Sequence, residues 1–353
     1  MFDIAFEKIK VLKDKHWAWF WYRAGKKKIK IISKINGKTY EYTCIDFWRI
    51  IFNWDKDVIE RMIFPSKREM IDMIDENGPF FQKYKTNLFW LKNFFSTSKN
   101  DDMELLIYDT FGYDNFKNEE YQNTEKKSET WGAYKFVNLL GIDVCPYCGR
   151  NYIFTIGDND NKNGRPEIDH FIPEKEYPFL SCSLYNFIPS CHQCNHQKHD
   201  DYNKKKNGVI KWIPYPYIEP SKGEMSPPIT FRAFYKIKDN KLVYGVRIRK
   251  KEAVLSEEFK NANNAFHLED LYECHEIEMN DLFSRYRNYR NHKIREIISL
   301  FHKTTDININ NFIFAGKLKK MILGLPIYKG NKEYPLKKFK EDLIEQLDYM
   351  KRS

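Results

Sequence analysis

The chain has 353 residues, more than one hydrophobic core usually organises, so two or three packed regions are expected. With 42% hydrophobic and 31% charged residues it is not a disordered chain, and no apolar run approaches the eighteen or so residues of a membrane span. The net charge of +10 points weakly to a polyanionic partner and is unevenly spread: residues 1–38 hold 11 Lys/Arg against 3 Asp/Glu, residues 39–130 hold 12 against 18, and residues 211–353 hold 27 against 19.

The opening Met1-Phe2-Asp3-Ile4 lacks a basic stretch followed by an apolar one, so no export signal is read and a cytoplasmic location with reduced thiols is expected. The aromatic cluster His16–Tyr22 offers rings for base stacking but reads more simply as core. Lys28–Ser33 and Thr39–Cys44 flank Asn36-Gly37, a hairpin signal. Asp46 to Ile63 carries Phe47, Ile50, Ile51, Trp54, Ile59 and Ile63 at roughly helical spacing, and further helices follow to residue 110. Residues 117–130 are polar and read as a linker. Trp131–Leu140 reads as a short helix with Ala133, Phe136, Val137 and Leu140 on one face. Asn151–Ile156 and Glu167–Ile172 read as strands, separated by the Gly/Asp/Asn-rich loop Gly157–Pro166. The polar stretch from Asn195 to Lys206 reads as the start of an exposed helix.

After the Pro-rich segment Trp212–Pro228, Ile229–Ile237 and Leu242–Ile248 flank Asp239-Asn240, a second hairpin. Two helical stripes complete the chain. One runs through Met279, Leu282, Phe283, Tyr286, Ile294, Ile297, Ile298 and Phe301; the other runs through Leu336, Phe339, Leu343, Leu347 and Met350, just after Pro335. The predicted organisation is α+β in three regions: residues 1–130, 131–210 and 211–353.

Seven cysteines are present, and four form C-x-x-C pairs: Cys145/Cys148 and Cys191/Cys194. In a reducing compartment two such pairs predict a structural zinc site rather than disulfides, because each pair folds back as a knuckle and two knuckles complete a tetrahedron. A redox pair would leave the second C-x-x-C idle. Cys44, Cys182 and Cys274 read as buried thiols. Between the knuckles, Asp169-His170 sits in the apolar frame Ile168-Asp-His-Phe171-Ile172; Asn186 follows, and Cys194 runs directly into Asn195 with Lys198 three residues later.

The order C-x-x-C, Asp-His, Asn, C-x-x-C-Asn-x-x-Lys over residues 140–205 resembles the HNH endonuclease family, whose core is a two-stranded hairpin and a helix around one divalent metal (the ββα-metal fold). The flanking segments, including Tyr177-Pro178-Phe179-Leu180, resemble larger bacterial HNH proteins found beside ATPases in phage-defence loci. The resemblance implies a DNA-cleaving hydrolase. His170 would be the general base and Asp169 a carboxylate ligand to Mg²⁺ or Mn²⁺. Asn195 would add a side-chain oxygen, Asn186 would orient the base across the loop, and Lys198 would meet a phosphate oxygen. A regular strand sends Asp169 and His170 to opposite faces, so the resemblance also implies a distorted strand end. His196 or His199 would join or replace Asn195 as ligand, while Glu167 and Glu174 read as surface carboxylates. The main alternative is a zinc-stabilised nucleic-acid-binding or ATPase-docking subunit that no longer cuts. DNA is the implied partner, with an ATPase subunit and a second copy of the chain as candidate associates; DNA against RNA, recognition sequence and nick against double-strand break stay open.

Overall fold

In the computed structural model of the protein, residues 4–53, 56–97, 103–118, 121–122, 130–157, 162–218, 229–250, 257–289, 293, 296–297, 299, 318–325 and 333–350 are described. They belong to two units, Met1–Ser226 and Pro227–Ser353. The first unit therefore holds both the N-terminal region and the segment with the cysteine pairs.

The first unit opens with a short helix, α1 (Phe6–Lys10), and a longer one, α2 (Lys13–Lys26). On α2, His16, Trp19, Phe20, Arg23 and Ala24 recur at helical spacing and are the buried face. The His16–Tyr22 cluster is thus core on this face, not a stacking platform. Strands β1 (Lys28–Ser33) and β2 (Thr39–Thr43) pair antiparallel across Asn36-Gly37 as the sequence predicts, and β3 (Phe95–Thr97) adds to the other edge of β1.

Helix α3 (Cys44–Phe52) starts on a reciprocal cap in which Thr43 accepts from the Asp46 amide while Asp46 reaches back to the Thr43 amide. The apolar spacing from Asp46 to Ile63 does not make one helix. The chain leaves α3 at Asn53, which is left-handed at φ 51°, before α4 (Lys56–Ile63) begins. Asn is among the few residues that adopt this conformation at low cost. Helices α5 (Lys67–Ile74), α6 (Pro79–Phe94), α7 (Met103–Phe111) and α8 (Tyr113–Asn118) follow.

Gly112 joins α7 to α8 at φ +74°, and a Cβ there would lie 1.9 Å from the Arg23 guanidinium carbon, so only glycine serves. Arg23 in turn donates to the Thr110 carbonyl, and Trp48 donates through Nε1 to Thr110 Oγ1 at 3.0 Å. This joint aims Tyr113 toward the segment between the cysteine pairs. Helix α9 (Ala133–Leu140) buries the four residues expected of it. Residues 123–129 of the polar linker lie outside the described residues; on either side of them Tyr121 pairs with Trp131 and Gln122 with Thr130.

Of the predicted strand Asn151–Ile156, the last residue is one: Ile156, with Gly157, pairs antiparallel with Lys162–Gly164. Before it the chain makes an isolated bridge, Val144 with Tyr152, and closes the first knuckle, with the Cys145 amide donating to the Asn151 carbonyl at 3.0 Å. Strands β4 (Glu167–His170) and β5 (Phe187–Ser190) form an antiparallel hairpin with His170 opposite Phe187 and Asp169 opposite Ile188. Helix α10 (His192–Lys198) follows immediately, so it starts before Asn195 and not at it. This β4–β5–α10 arrangement is the ββα core that the resemblance implied.

The second unit is built on a ribbon of two ten-residue strands, β6 (Ile229–Lys238) and β7 (Lys241–Lys250). Its turn residues Asp239 and Asn240 have φ of 49° and 58°, the double left-handed geometry of a tight two-residue hairpin. Helices α11 (Glu257–Phe266), α12 (Leu268–Glu273), α13 (Glu276–Asn288) and α14 (Lys337–Met350) accompany the ribbon. The stripe from Met279 is helical through α13, and most of its residues after 289 lie outside the described residues. Phe231, Ala233, Val246 and Ile248 bury one ribbon face, with the Phe231 ring 4.3 Å from Tyr272 and 5.5 Å from Phe339.

Candidate active site and metal centre

The first knuckle is a tight turn in which the Gly149 amide donates to the Cys145 carbonyl at 2.8 Å and the Arg150 amide points at Cys148 Sγ at 3.4 Å. The second knuckle is the start of α10: Cys191 caps the helix, Cys194 lies in its first turn, and the Asn195 amide donates to the Cys191 carbonyl at 3.0 Å. Asn151 Nδ2 meets Cys191 Sγ at 3.4 Å and ties the two knuckles together.

All four sulfurs lie within 4.8 Å of one another and are buried. A Zn–S bond of about 2.3 Å gives a tetrahedral edge of about 3.8 Å, so the thiols need close by only about an ångström to meet one ion. Four buried thiols cannot all ionise without a cation between them. Burial pushes Cys145 well above the ordinary thiol range, and the sulfurs of Cys145, Cys148 and Cys191 drive Cys194 up. A soft divalent cation releases that conflict, which is the donor chemistry that suits zinc.

The other cysteines stand apart. Cys182 is buried with its thiol on the Phe111 carbonyl at 3.1 Å, and Cys44 is buried in the N-terminal core. Cys274, read from the sequence as buried, is exposed, because it ends α12 beyond the last turn that faces the ribbon.

Asp169 receives a hydrogen bond from the Tyr147 hydroxyl at 2.5 Å, so a residue inside the first knuckle fixes the carboxylate. Burial, followed by the Asp169 charge, holds the Tyr147 hydroxyl far above the ordinary phenol range, so it stays a donor. From the other side Lys198 donates to Asp169 Oδ1 at 3.0 Å, to Oδ2 at 2.8 Å and to the His170 carbonyl at 2.5 Å. Lys198, the candidate phosphate contact, is therefore no solvated helix lysine: it is 2% exposed, and three acceptors meet its three ammonium donors.

His170 is likewise buried. Its Nε2 faces the Ser181 carbonyl at 2.8 Å, and a carbonyl only accepts, so Nε2 carries the hydrogen. Its Nδ1 lies 3.1 Å from Glu174 Oε2, and the rings of Tyr113 and Phe187 stand edge-on to the imidazole at 4.4 and 5.4 Å. Asn186 is fully buried beneath the hairpin. Its Oδ1 accepts from the Ile172 amide at 2.7 Å, and its Nδ2 donates to the carbonyls of Ile172 and Leu180 at 3.0 and 3.2 Å. It braces the loop that carries the Ser181 carbonyl and is not among the residues that line the cleft.

Asn195 donates through Nδ2 to Glu167 Oε2 at 2.7 Å, which assigns the amide orientation and turns its oxygen away from Glu167. Glu167 Oε1 also meets His192 Nδ1 at 2.7 Å. Burial raises Glu167, but the bonds from His192 and Asn195 outweigh it and hold the carboxyl below its ordinary range.

Asp169, His170, Asn195 and Lys198 line a single cleft of about 420 Å³. Glu167, Glu174 and His199 line it too, with Tyr113, Lys117 and Arg165 on its walls. His196 is not among the lining residues; its ring lies 5.0 Å from that of His199. Strand alternation does send Asp169 and His170 to different partners, and the cleft opens at the strand end where both are reached. Among the described residues no second group of three or more Cys, His, Asp or Glu side chains is close enough to hold an ion. One carboxylate and one amide oxygen are nonetheless a donor set of the kind Mg²⁺ uses, since it keeps several waters.

Glu167 and Glu174 do not behave as the surface carboxylates read from the sequence. The signal for Glu174 was its position four residues after His170. Tyr147 was hidden as the variable residue of a C-x-x-C pair, and Tyr113 comes from a distant helix.

Residues 145–201 match the HNH endonuclease family. No curated protein and no solved structure matches the chain. The segment that runs from the first knuckle through the hairpin to the end of the cleft helix is an HNH endonuclease domain with four cysteines positioned to bind a metal ion.

Proposed function

We propose that the protein is a metal-dependent endonuclease that hydrolyses DNA phosphodiester bonds, with His170 as general base. The observation that carries this reading is the meeting of Asp169, His170 and Asn195 in one cleft beside the four-cysteine cluster. The His170 Nε2 hydrogen is committed to the Ser181 carbonyl, so in the neutral form Nδ1, on the Glu174 side, is the atom that would take a proton from water. Glu174 stabilises the imidazolium that results. Asn186 keeps the Ser181 carbonyl, and through it the ring, in place. Arg165 and Lys117 present positive charge on the cleft wall to the phosphoryl oxygens. Lys198 acts on the phosphate only as a buried charge, because its donors are engaged; its direct work is to set Asp169.

A Mg²⁺ or Mn²⁺ ion held by Asp169 and Asn195 would supply Lewis-acid charge to the scissile phosphate and the departing 3′ oxygen. By family analogy the ends are 5′ phosphate and 3′ hydroxyl. Zinc in the four-cysteine cluster is structural, since four protein thiolates leave no open position for water. The flanks suit the wider resemblance, a phage-defence effector working with an ATPase, and a dimer if both strands are cut.

Incubating supercoiled plasmid with the zinc-loaded protein tests the reading. Nicked or linear product only when Mg²⁺ or Mn²⁺ is added supports it. Plasmid that is bound and never cut with either ion supports the non-catalytic alternative.

A further inference from the structure

The ribbon of the second unit carries a charged face. In the β6–β7 register Arg232 stands directly opposite Arg247, Thr230 opposite Arg249, and Phe234 opposite Gly245. Alternation places all of these on the face turned away from the buried Phe231, Ala233, Val246 and Ile248. Like charges directly opposite each other destabilise a strand pair, so an Arg–Arg pair needs an outside reason.

No carboxylate of the described residues neutralises it. The acidic residues packed beside the ribbon are spent on its edges: Asp342 accepts from the Phe231 amide at 2.9 Å, Glu273 from the Val246 amide at 3.0 Å, and Glu269 from the Ile248 amide at 2.7 Å. Among the described residues Arg232, Arg247 and Arg249 make no ion pair, and Arg247 and Arg249 are exposed. The whole ribbon, residues 229–250, holds seven Lys/Arg against one Asp.

The arginines are also held in place. Arg247 lies over the Phe234 ring at 4.7 Å, and Phe234 lies flat across Gly245, where a Cβ would come within 2.5 Å of the ring. Glycine opposite phenylalanine lets the ring lie down as a platform, and the guanidinium rests on it with its N–H edge available.

We propose that this basic face is a docking surface for the phosphodiester backbone of duplex DNA, separate from the catalytic cleft. Planar guanidinium forks pair with phosphate oxygens in a way lysines do not, and a two-stranded ribbon fits a DNA major groove about 12 Å wide. An anionic membrane would call for apolar side chains on the same face, and its one aromatic residue, Phe234, is covered by Arg247. The proposal rests on the nuclease reading for the identity of the polyanion. Because the ribbon shares a chain with the cleft, it would raise the local concentration of substrate there.

The test is fluorescence anisotropy of a short labelled duplex with the full chain, without Mg²⁺, over a series of salt concentrations. The triple variant Arg232→Gln/Arg247→Gln/Arg249→Gln is expected to lose about tenfold or more in affinity, and its slope of log K against log salt should shrink by about 2 to 3, near one for each phosphate no longer neutralised. Arg249→Gln alone, at an exposed site, should remove about one unit of slope without changing the melting temperature. An Arg→Lys triple should keep most of the slope. Unchanged slope in both Gln variants overturns the proposal, as does parent protein that binds anionic vesicles more tightly than DNA through these arginines. Binding that depends on the arginines in a protein that never cuts refutes the nuclease reading alone. Cutting by a Gln triple with full slope refutes the ribbon alone.

Discussion

Asp169 is gripped from both sides, by the Tyr147 hydroxyl and the Lys198 ammonium, and both grips are dry. Removing one partner of a buried ion pair leaves the other charge uncompensated, which typically costs about 3 to 5 kcal/mol. Lys198→Met is therefore expected to lower the unfolding free energy by about 3 kcal/mol in urea titration; a loss close to zero would show that the pair is not formed. His16 gives a pH dependence with a definite sign. Its Nε2 meets the Cys182 carbonyl at 2.8 Å and its Nδ1 accepts from Trp131 Nε1 at 3.1 Å, so it is fully bonded as a neutral ring. Burial pulls its pKa down to about 4, against the opposing pull of the Cys182 carbonyl. The unfolded chain, with an ordinary imidazole near 6.5, then binds the extra proton between those values. The stabilisation is complete above about pH 6.5 and is lost as pH falls toward 4, worth about 3 kcal/mol. Urea unfolding at neutral and acid pH should show this slope in the parent and a flatter one in His16→Gln.

At the scale of elements, the two knuckles do more than fold the chain back. The first carries Tyr147 to Asp169, and the second is the first turn of the helix that carries Asn195 and Lys198. Stripping zinc should therefore lower the melting temperature of the first unit and abolish cleavage that added Mg²⁺ does not restore, whereas omitting Mg²⁺ should stop cleavage and leave the melt unchanged. Identical melting with and without zinc would contradict this. Much of this layout was legible in the sequence. The cysteine spacing named the cluster, the apolar frame around Asp169-His170 named β4, and Asn36-Gly37 and Asp239-Asn240 named two hairpins. These are local signals. What stayed hidden depends on tertiary partners. Asn151 to Ile153 has strand composition, yet its backbone bonds go to Cys145 and Asp143 at the first knuckle, and strand pairing begins at Ile156. Glu167 and Glu174 look like any polar carboxylates until Asn195 and His170 are set beside them, and the basic face of Arg232 and Arg247 emerges only from the β6–β7 register.

At the scale of the molecule, the HNH segment does not own its core. Phe187 of β5 stacks on Phe116 at 5.0 Å and lies 5.9 Å from His16 and 5.5 Å from Tyr113, so the N-terminal region packs directly against the β4–β5 hairpin. Tyr113 and Lys117 of the same region line the cleft. An excised fragment of residues 131–210 should accordingly show no cooperative melt even with zinc, because Phe187 would lose most of the aromatic residues that bury it; a sharp transition in calorimetry would contradict this. The flank is thus part of the cleft's architecture. The most direct test of the whole reading is the single-turnover rate of DNA cleavage by the full chain and by His170→Ala, with DNA binding and melting temperature checked as equal. A fall of about a hundredfold or more is predicted for loss of a general base, and equal rates in the two proteins would contradict it.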